Sequence, residues 1–123
     1  MTRDAARPVL VVDDETDFLS TYRRLLGRDG FRVIGAATRD AALRALAEEP
    51  FAAAIIDLRL PDGDGLDIVR RAREVADPAP AIVVTGFASR HARQAAHRAG
   101  AAAFFAKPFD SAALVKRVRE LAG

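Results

Sequence analysis

Five short apolar runs alternate with polar stretches of helical spacing along the 123 residues of this chain. The runs occupy residues 9–13, 31–36, 51–57, 81–85 and 101–106. Their apolar residues are continuous rather than alternating, which is typical of strands that are covered on both faces. Strands that alternate with helices favour a single parallel sheet with helices on both sides. We therefore predict an α/β domain of five strands and five helices.

Capping residues and helix breakers stand at the predicted boundaries. Thr38 and Asp110 have side chains suited to cap the N-terminus of a helix, and Gly100 stands where a helix should end. No linker, repeat or low-complexity tail interrupts the pattern. We therefore expect one domain over residues 1–123, with a folded core over about 8–122 and no output domain among these residues.

The composition excludes several classes of function. Without cysteine, the chain can form no disulfide, thiolate metal site or cysteine nucleophile. Its formal net charge is only +2 and it has no dense basic run, so we expect no direct binding of nucleic acid. No segment is apolar for long enough to span a bilayer, and the N-terminal apolar run is too short for a signal peptide. We expect a cytoplasmic protein that has no membrane partner.

Polar side chains stand at the carboxyl ends of four predicted strands. In chain order they are Asp13 and Asp14 after the first strand, Asp57 after the third, Thr85 at the end of the fourth and Lys107 after the fifth. In an open parallel sheet, ligands bind at this edge. We therefore expect three carboxylates, one hydroxyl and one ammonium group to converge there.

Three carboxylates at one edge repel one another, and without a partner one of them would be driven towards protonation. A divalent cation removes this repulsion, and oxygen ligands favour a hard ion such as Mg²⁺. Lys107 can neutralise a phosphoryl oxygen, and Thr85 can donate a hydrogen bond to another. Asp57, which comes just before the turn LPDGDG, is then placed as a nucleophile that forms an acyl phosphate. We expect the turn to bend away and to leave this carboxylate uncovered.

These marks, in this order, closely resemble the receiver domains of bacterial two-component response regulators. The resemblance runs from VLVVDDE to the last helix, and it rests on the acidic pair, on IIDLRLPDGDG, on VVTG around Thr85 and on KPF at Lys107. It implies a flavodoxin-like (βα)5 doubly wound fold with strand order 2-1-3-4-5 and helices on both faces.

The resemblance also implies roles for the acidic residues. Asp57 would be the phosphoacceptor. Asp14 and Asp57 would ligate Mg²⁺ directly, and Asp13 would act mainly through a bound water. The main-chain carbonyl of Arg59 would complete the protein ligands, and Mn²⁺ is the alternative ion.

A second group of residues would bind the phosphoryl group and report its presence. Lys107 would pair with the phosphoryl group, and its bond to Pro108 is typically cis in such domains. Thr85 would swing towards the phosphate on activation, coupled to the aromatic residue Phe104. We expect Phe105 to lie in the core and Phe104 to lie at the surface, towards the fourth helix.

Two side chains are candidates for setting the lifetime of the signal. Arg59 lies two residues after Asp57, and Phe87 lies two residues after Thr85. Both are expected to overhang the phosphoryl group. The bulk of Phe87 should hinder the attacking water and slow hydrolysis.

The fourth predicted helix, residues 89–98, lacks a large apolar anchor. Its apolar residues are Ala92, Ala95 and Ala96. An alanine buries little area, so this helix should be held weakly beside the first helix, which carries Phe18 and Tyr22. We expect the fourth helix to be the mobile part of a switch, with the fifth strand and fifth helix completing an output face.

The resulting prediction is a signalling switch rather than an enzyme acting on other molecules. A histidine kinase or a phosphotransfer protein would donate the phosphoryl group, and the output face would bind a partner or form a homodimer. An aspartate-nucleophile phosphatase needs a second acid where this chain has Arg59, and an FMN binder would not place the acidic DDE beside a phosphate. A receiver-like module that works without phosphorylation is disfavoured by the complete acidic set.

Overall fold

Five parallel strands form a single sheet in this computed structural model, which describes residues 7–123. In chain order the strands are β1 (Val9–Val12), β2 (Val33–Ala36), β3 (Ala53–Ile56), β4 (Arg59–Leu60), β5 (Gly63–Asp64), β6 (Ala81–Thr85) and β7 (Ala103–Ala106). The sheet has the order β2-β1-β3-β6-β7, and β4 and β5 form a separate ribbon. All five sheet strands lie within the predicted runs, and their order is the expected 2-1-3-4-5. The predicted fold class is therefore confirmed.

Within residues 7–123, four helices connect the strands and a fifth follows β7. They are α1 (Thr16–Arg28), α2 (Arg39–Glu48), α3 (Gly65–Glu74), α4 (Arg90–Ala99) and α5 (Ser111–Ala122). The predicted N-caps are confirmed, because the side chains of Thr38 and Asp110 each accept a hydrogen bond from the backbone N–H three residues on. Gly100 ends α4 with a φ of 105°, in the left-handed region that favours glycine. Within the described residues, none of the helices has the length and apolar character needed to cross a membrane.

The ribbon of β4 and β5 begins two residues after Asp57 and was not predicted, since two-residue strands carry no hydrophobic period. In its turn, the carboxylate of Asp62 accepts hydrogen bonds from the backbone N–H groups of Arg39, at 2.7 Å, and Asp40, at 3.0 Å. These bonds lower the pKa of Asp62 below its ordinary value. The ribbon is thereby fastened to the start of α2.

The side chains of each strand alternate between two core layers. Val9 and Val11 face the layer formed with α1 and α5, whereas Leu10 and Val12 face the layer formed with α2, α3 and α4. All four side chains are at most 1% exposed. The sheet is therefore covered on both faces, as the continuous apolar runs predicted.

Helix α4 is held by small side chains. Within residues 7–123 it is the one helix whose buried residues are all alanines, Ala96 and Ala99. By contrast, α1 buries Tyr22 and Leu26. The predicted absence of a large anchor in α4 is confirmed, although Ala99 lies just beyond the predicted helix end.

The predicted burial of Phe104 and Phe105 in β7 was wrong in degree. Phe104 and Phe105 point to opposite core layers, as expected, but both are half-buried. Because β7 is an edge strand among the residues that the structure describes, Phe105 has a neighbouring strand on one side only. Phe104 does face α4, but the guanidinium carbon of Arg93 covers it, 4.6 Å from the ring centroid.

Candidate functional site

The acidic residues meet where two neighbouring strands end. Val12 of β1 pairs with Ile56 of β3, so the residues that follow them, Asp13 and Asp57, leave the sheet side by side. Carboxylate oxygens of these two residues and of Asp14 all lie within 4.8 Å of one another. Asp13 and Asp57 are buried, whereas Asp14 is exposed. The predicted convergence of the three carboxylates is therefore present in the structure.

The ammonium group of Lys107 bridges the two buried acids. Its Nζ lies 2.9 Å from Oδ2 of Asp13 and 3.2 Å from Oδ2 of Asp57. The backbone N–H of Lys107 donates to the carbonyl of Thr85 at 2.8 Å, which places the loop after β7 beside the end of β6. The peptide bond between Lys107 and Pro108 is cis, as the resemblance implied.

The charges at this edge do not balance. Burial raises the pKa of Asp57, although the backbone N–H of Arg59 and the nearby Lys107 act in the opposite direction. Burial alone would lower the pKa of Lys107, but its contacts with Asp13 and Asp57 outweigh burial and raise it. Lys107 pairs with two of the three clustered carboxylates, and Asp14 adds a further negative charge beside them. A cluster of oxygen ligands with excess negative charge suits a hard divalent cation such as Mg²⁺.

Asp13 has a further contact that holds it in place. Its Oδ1 accepts a hydrogen bond from the backbone N–H of Glu15 at 2.9 Å, in the turn that leads into α1. The N-cap residue of α1 is Glu15, and it forms no side-chain capping bond. Asp13 therefore orders the turn before the helix rather than capping the helix itself.

Asp57 is more enclosed than the sequence predicted. Its side chain is 9% exposed rather than uncovered, because Lys107 lies against it. The turn does bend sharply, and Gly65 permits this: a Cβ at that position would collide with the main chain of Asp57 and Leu58. A glycine directly after Asp64, the N-cap of α3, was the sequence signal for this close approach.

Arg59 and Phe87, the two candidates for setting the signal lifetime, contact each other. The guanidinium carbon of Arg59 lies 3.7 Å from the ring centroid of Phe87. Phe87 is 59% exposed, so the pair forms an external contact between the loops that follow β3 and β6. The sequence predicted neither residue to touch the other. The backbone N–H of Arg59 also donates to Oδ1 of Asp57 at 3.2 Å.

Thr85 is fully buried, and its hydroxyl is occupied locally. The hydroxyl oxygen accepts a hydrogen bond from the backbone N–H of Phe87 at 3.1 Å. Thr85 also borders a cavity of about 490 Å³ between the β4–β5 ribbon and α4. The apolar side chains of Leu58, Leu66 and Ala95 help to line this cavity. The end of β6 therefore has space beside it into which the following loop can move.

Sequence reasoning assigned Phe18 to a helix face but missed its contact with the site. The centroid of its ring lies 3.9 Å from Nζ of Lys107. The sequence feature that could have indicated this contact is the position of Phe18, four residues after Asp14 and in the first turn of a helix that starts at the acidic edge.

A family model described as the response regulator receiver domain matches residues 9–119. Among curated proteins, the photosynthetic apparatus regulatory protein RegA of Rhodovulum sulfidophilum is 37% identical over 103 residues. That alignment covers 84% of this chain and 56% of RegA. The chain therefore spans about half the length of this curated relative.

Solved structures with the same fold include two receiver domains. A CheY-like response regulator receiver domain protein from Methanospirillum hungatei has a TM-score of 0.88 and 31% identity, covering 94% of this chain and 93% of that one. The receiver domain of a sensor histidine kinase from Pseudomonas aeruginosa has a TM-score of 0.85 and 28% identity, covering 96% and 98%. That structure contains a magnesium ion coordinated in the active-site cleft.

Proposed function

Because this chain belongs to the response regulator receiver domain family, we propose that its phosphorylation-activated signalling depends on phosphoryl transfer to Asp57. The observation that carries the assignment is the bridge made by Lys107, whose ammonium group contacts both Asp13 and Asp57 beside the exposed Asp14. This arrangement supplies a nucleophile, a fixed cation and a set of oxygen ligands within one edge of the sheet.

In the proposed reaction, a carboxylate oxygen of Asp57 attacks the phosphorus atom of a phosphohistidine on the donor protein. A P–O bond forms as the P–N bond breaks, and the electron pair of the broken bond returns to the imidazole nitrogen, which takes up a proton. Lys107 neutralises charge on the phosphoryl oxygens from the position that it already occupies. Asp14, Asp57 and the main-chain carbonyl of Arg59 would hold Mg²⁺, or Mn²⁺ in its place, and Asp13 would act mainly through a bound water. The ion would supply positive charge for the phosphoryl oxygens.

The donor follows from the family, whose receiver domains interact with histidine kinases or phosphotransfer proteins. An aspartate-nucleophile phosphatase is not favoured, because the position of its second acid holds Arg59, which is stacked on Phe87.

The direct test of phosphoryl transfer is intact-mass measurement after incubation of the chain with Mg²⁺ and acetyl phosphate. We expect the mass of one phosphoryl group to be gained, and no gain from any donor would overturn the assignment.

Phosphorylation would shift the loop between β6 and α4. The new charge on Asp57 offers Thr85 a stronger hydrogen-bond acceptor, so its hydroxyl can give up the contact with the N–H of Phe87 and donate to a phosphoryl oxygen. The neighbouring cavity leaves room for the loop to follow. Phe104, which has no hydroxyl, would respond through its packing against α4 and Arg93.

The output face would consist of α4, β7 and α5. Helix α4 carries Arg90, Arg93 and Arg98 and has no acidic residue, and α5 has the single acidic residue Glu120. Glu120 lies 3.4 Å from Arg117 of the same helix. Homodimerisation through this face would bring mostly like charges together, so charge favours a partner that presents acidic groups over a second copy of the chain.

We expect the amides of α4 to exchange with solvent faster than those of α1, because α4 is held by buried alanines and α1 by Tyr22 and Leu26. The difference in protection should reach at least about tenfold, since larger apolar side chains bury more area. Hydrogen–deuterium exchange measured by mass spectrometry on the unphosphorylated protein checks this. Equal protection of the two helices would contradict it.

Replacing Phe87 with alanine should shorten the lifetime of the acyl phosphate. The substitution removes both the ring and its contact with Arg59, so water gains access to the phosphoryl group. We expect hydrolysis to be about twofold faster or more, from the scale of an exposed cation–π contact. Loss of phosphoryl mass over time measures the rate. Phe87→Leu keeps most of the bulk and is the control; an unchanged lifetime in Phe87→Ala would reject the idea.

A further inference from the structure

The ammonium group of Lys107 is enclosed on three sides. Oxygens of Asp13 and Asp57 lie 2.9 Å and 3.2 Å from Nζ, and the ring centroid of Phe18 lies 3.9 Å from it. The lysine side chain is only 10% exposed. Two of its three N–H donors can therefore serve the carboxylates, while the aromatic face occupies a third side of the cation.

A second aromatic contact fixes the loop that carries this lysine. Tyr22, one helical turn beyond Phe18 on α1, stacks on Phe109 with ring centroids 5.6 Å apart and planes inclined by 12°. Phe109 is two residues after Lys107, and Tyr22 is almost completely buried. The same face of α1 thus holds the loop between β7 and α5 at two points, one of them the reactive ammonium group.

We propose that Phe18 is a positioning residue that holds the ammonium group of Lys107 against Asp57 during phosphoryl transfer. Phe18 does not touch the reacting atoms; it acts through Lys107. This role rests on the proposed function, because the ammonium group matters to the reaction only if Asp57 accepts a phosphoryl group.

The ring does more here than fill space. The negative face of an aromatic ring attracts a cation, and the attraction is stronger where water is excluded, as it largely is around Lys107. A leucine at position 18 would fill much of the volume but would offer no aromatic face to attract the ammonium group. The cation would then move towards water. A misplaced cation would neutralise the phosphoryl oxygens less well.

The test compares rates of phosphorylation by acetyl phosphate in the presence of Mg²⁺, measured by intact mass. Phe18→Leu should slow the reaction about two- to fivefold, the change expected from the loss of a cation–π contact. Phe18→Tyr keeps the aromatic face and should retain most of the wild-type rate. Phe31→Leu is the matched control, because Phe31 lies in the same core layer but just before β2, at the opposite edge of the sheet.

A double-mutant cycle separates positioning from general packing. In a Lys107→Met background, Phe18→Leu should cause no further loss of rate, because the ring then has no cation to hold. A loss as large as that in the wild type would overturn the proposal, as would an unchanged rate in Phe18→Leu alone or an equal loss in Phe31→Leu.

The same four proteins of the cycle also give a readout that does not need phosphorylation. Urea unfolding of the wild type, the two single variants and the double variant should reveal coupling between Phe18 and Lys107. If the wild type gains no phosphoryl mass, the proposed function fails on that result alone, and the unfolding cycle still decides whether the ring holds the ammonium group. Additive unfolding energies would overturn the contact itself.

Discussion

Replacing Asp57 with asparagine is expected to abolish phosphoryl gain while preserving the fold. The amide has nearly the same shape as the carboxylate, but it cannot act as the nucleophile in acyl phosphate formation. Incubation with Mg²⁺ and acetyl phosphate, followed by intact-mass measurement, should find the phosphoryl group on the wild type and none on Asp57→Asn. A variant that gained the group as readily as the wild type would place the acceptor elsewhere.

The same substitution is expected to stabilise the protein at neutral pH in the absence of Mg²⁺. The folded-state pKa of Asp57 is raised above its ordinary value of 3.8, chiefly by burial, so this carboxylate binds a proton more readily in the folded protein than in the unfolded chain. The contribution of Asp57 to stability is therefore greatest at low pH and declines as the pH rises through the window between the unfolded and folded pKa values.

Urea unfolding without Mg²⁺ checks this linkage. The free energy of unfolding of Asp57→Asn should exceed that of the wild type at pH 7, because the amide carries no charge that must be buried. The advantage should shrink as the pH is lowered towards 3.8, because the folded wild type then takes up the proton that removes the buried charge. An advantage that stayed constant, or grew, on acidification would contradict the assigned direction of the pKa shift.

Replacing Lys107 with methionine is expected to have the second large effect. The variant keeps the length of the side chain but leaves Asp13 and Asp57 buried beside each other without a cation. Removing one partner of a buried ion pair is costly, and we expect a loss of up to about 3 kcal/mol in the free energy of unfolding at pH 7. Phosphorylation should slow as well, because the phosphoryl oxygens lose their fixed positive charge.

The lysine stabilises the fold throughout the neutral range. Its folded-state pKa lies above the ordinary value of 10.5, so its contribution is fully present below that value and is lost as the pH rises through the folded pKa. Lys116→Met is the matched control, because Lys116 is exposed on α5, and it should change stability by no more than about 0.5 kcal/mol.

Added Mg²⁺ should rescue the stability of Lys107→Met in part, since a divalent cation can replace the missing positive charge between the carboxylates. Thermal or urea unfolding with and without Mg²⁺ measures this. We expect the ion to stabilise the variant more than it stabilises the wild type. A variant as stable as the wild type without Mg²⁺ would mean that the bridge seen at 2.9 Å and 3.2 Å contributes nothing.

The sequence predicted the sheet and the site for a common reason. The continuous apolar runs determine where strands begin and end, and in a parallel sheet the residues that follow neighbouring strands must lie together. Asp13 follows Val12 and Asp57 follows Ile56, and these two strand residues are paired in the sheet. Once the strands were placed, their acidic neighbours were placed with them.

Side-chain contacts between separate loops were beyond the reach of the sequence. The stack of Arg59 on Phe87 depends on how far the loops after β3 and β6 extend beyond the sheet, which no hydrophobic period encodes. Phe105 was assigned to the core from strand alternation alone. The exposure of Phe105 depends on whether another strand lies beside β7 in the sheet. That depends on the strand order of the whole sheet and not on the sequence of β7.

The two hydrogen bonds from the start of α2 to Asp62 make the acceptor loop asymmetric in its mechanical support. Arg39 makes a further contact, with its Nε 3.0 Å from Asp67 of α3. Polar contacts therefore link this side of the loop to α2, and α2 to α3. The opposite side of the loop borders the cavity and α4, a helix whose buried residues are alanines. A displacement of the acceptor loop at the acidic edge is therefore resisted more on the side of α2 and α3 than on the side of α4. This difference gives the displacement a preferred direction.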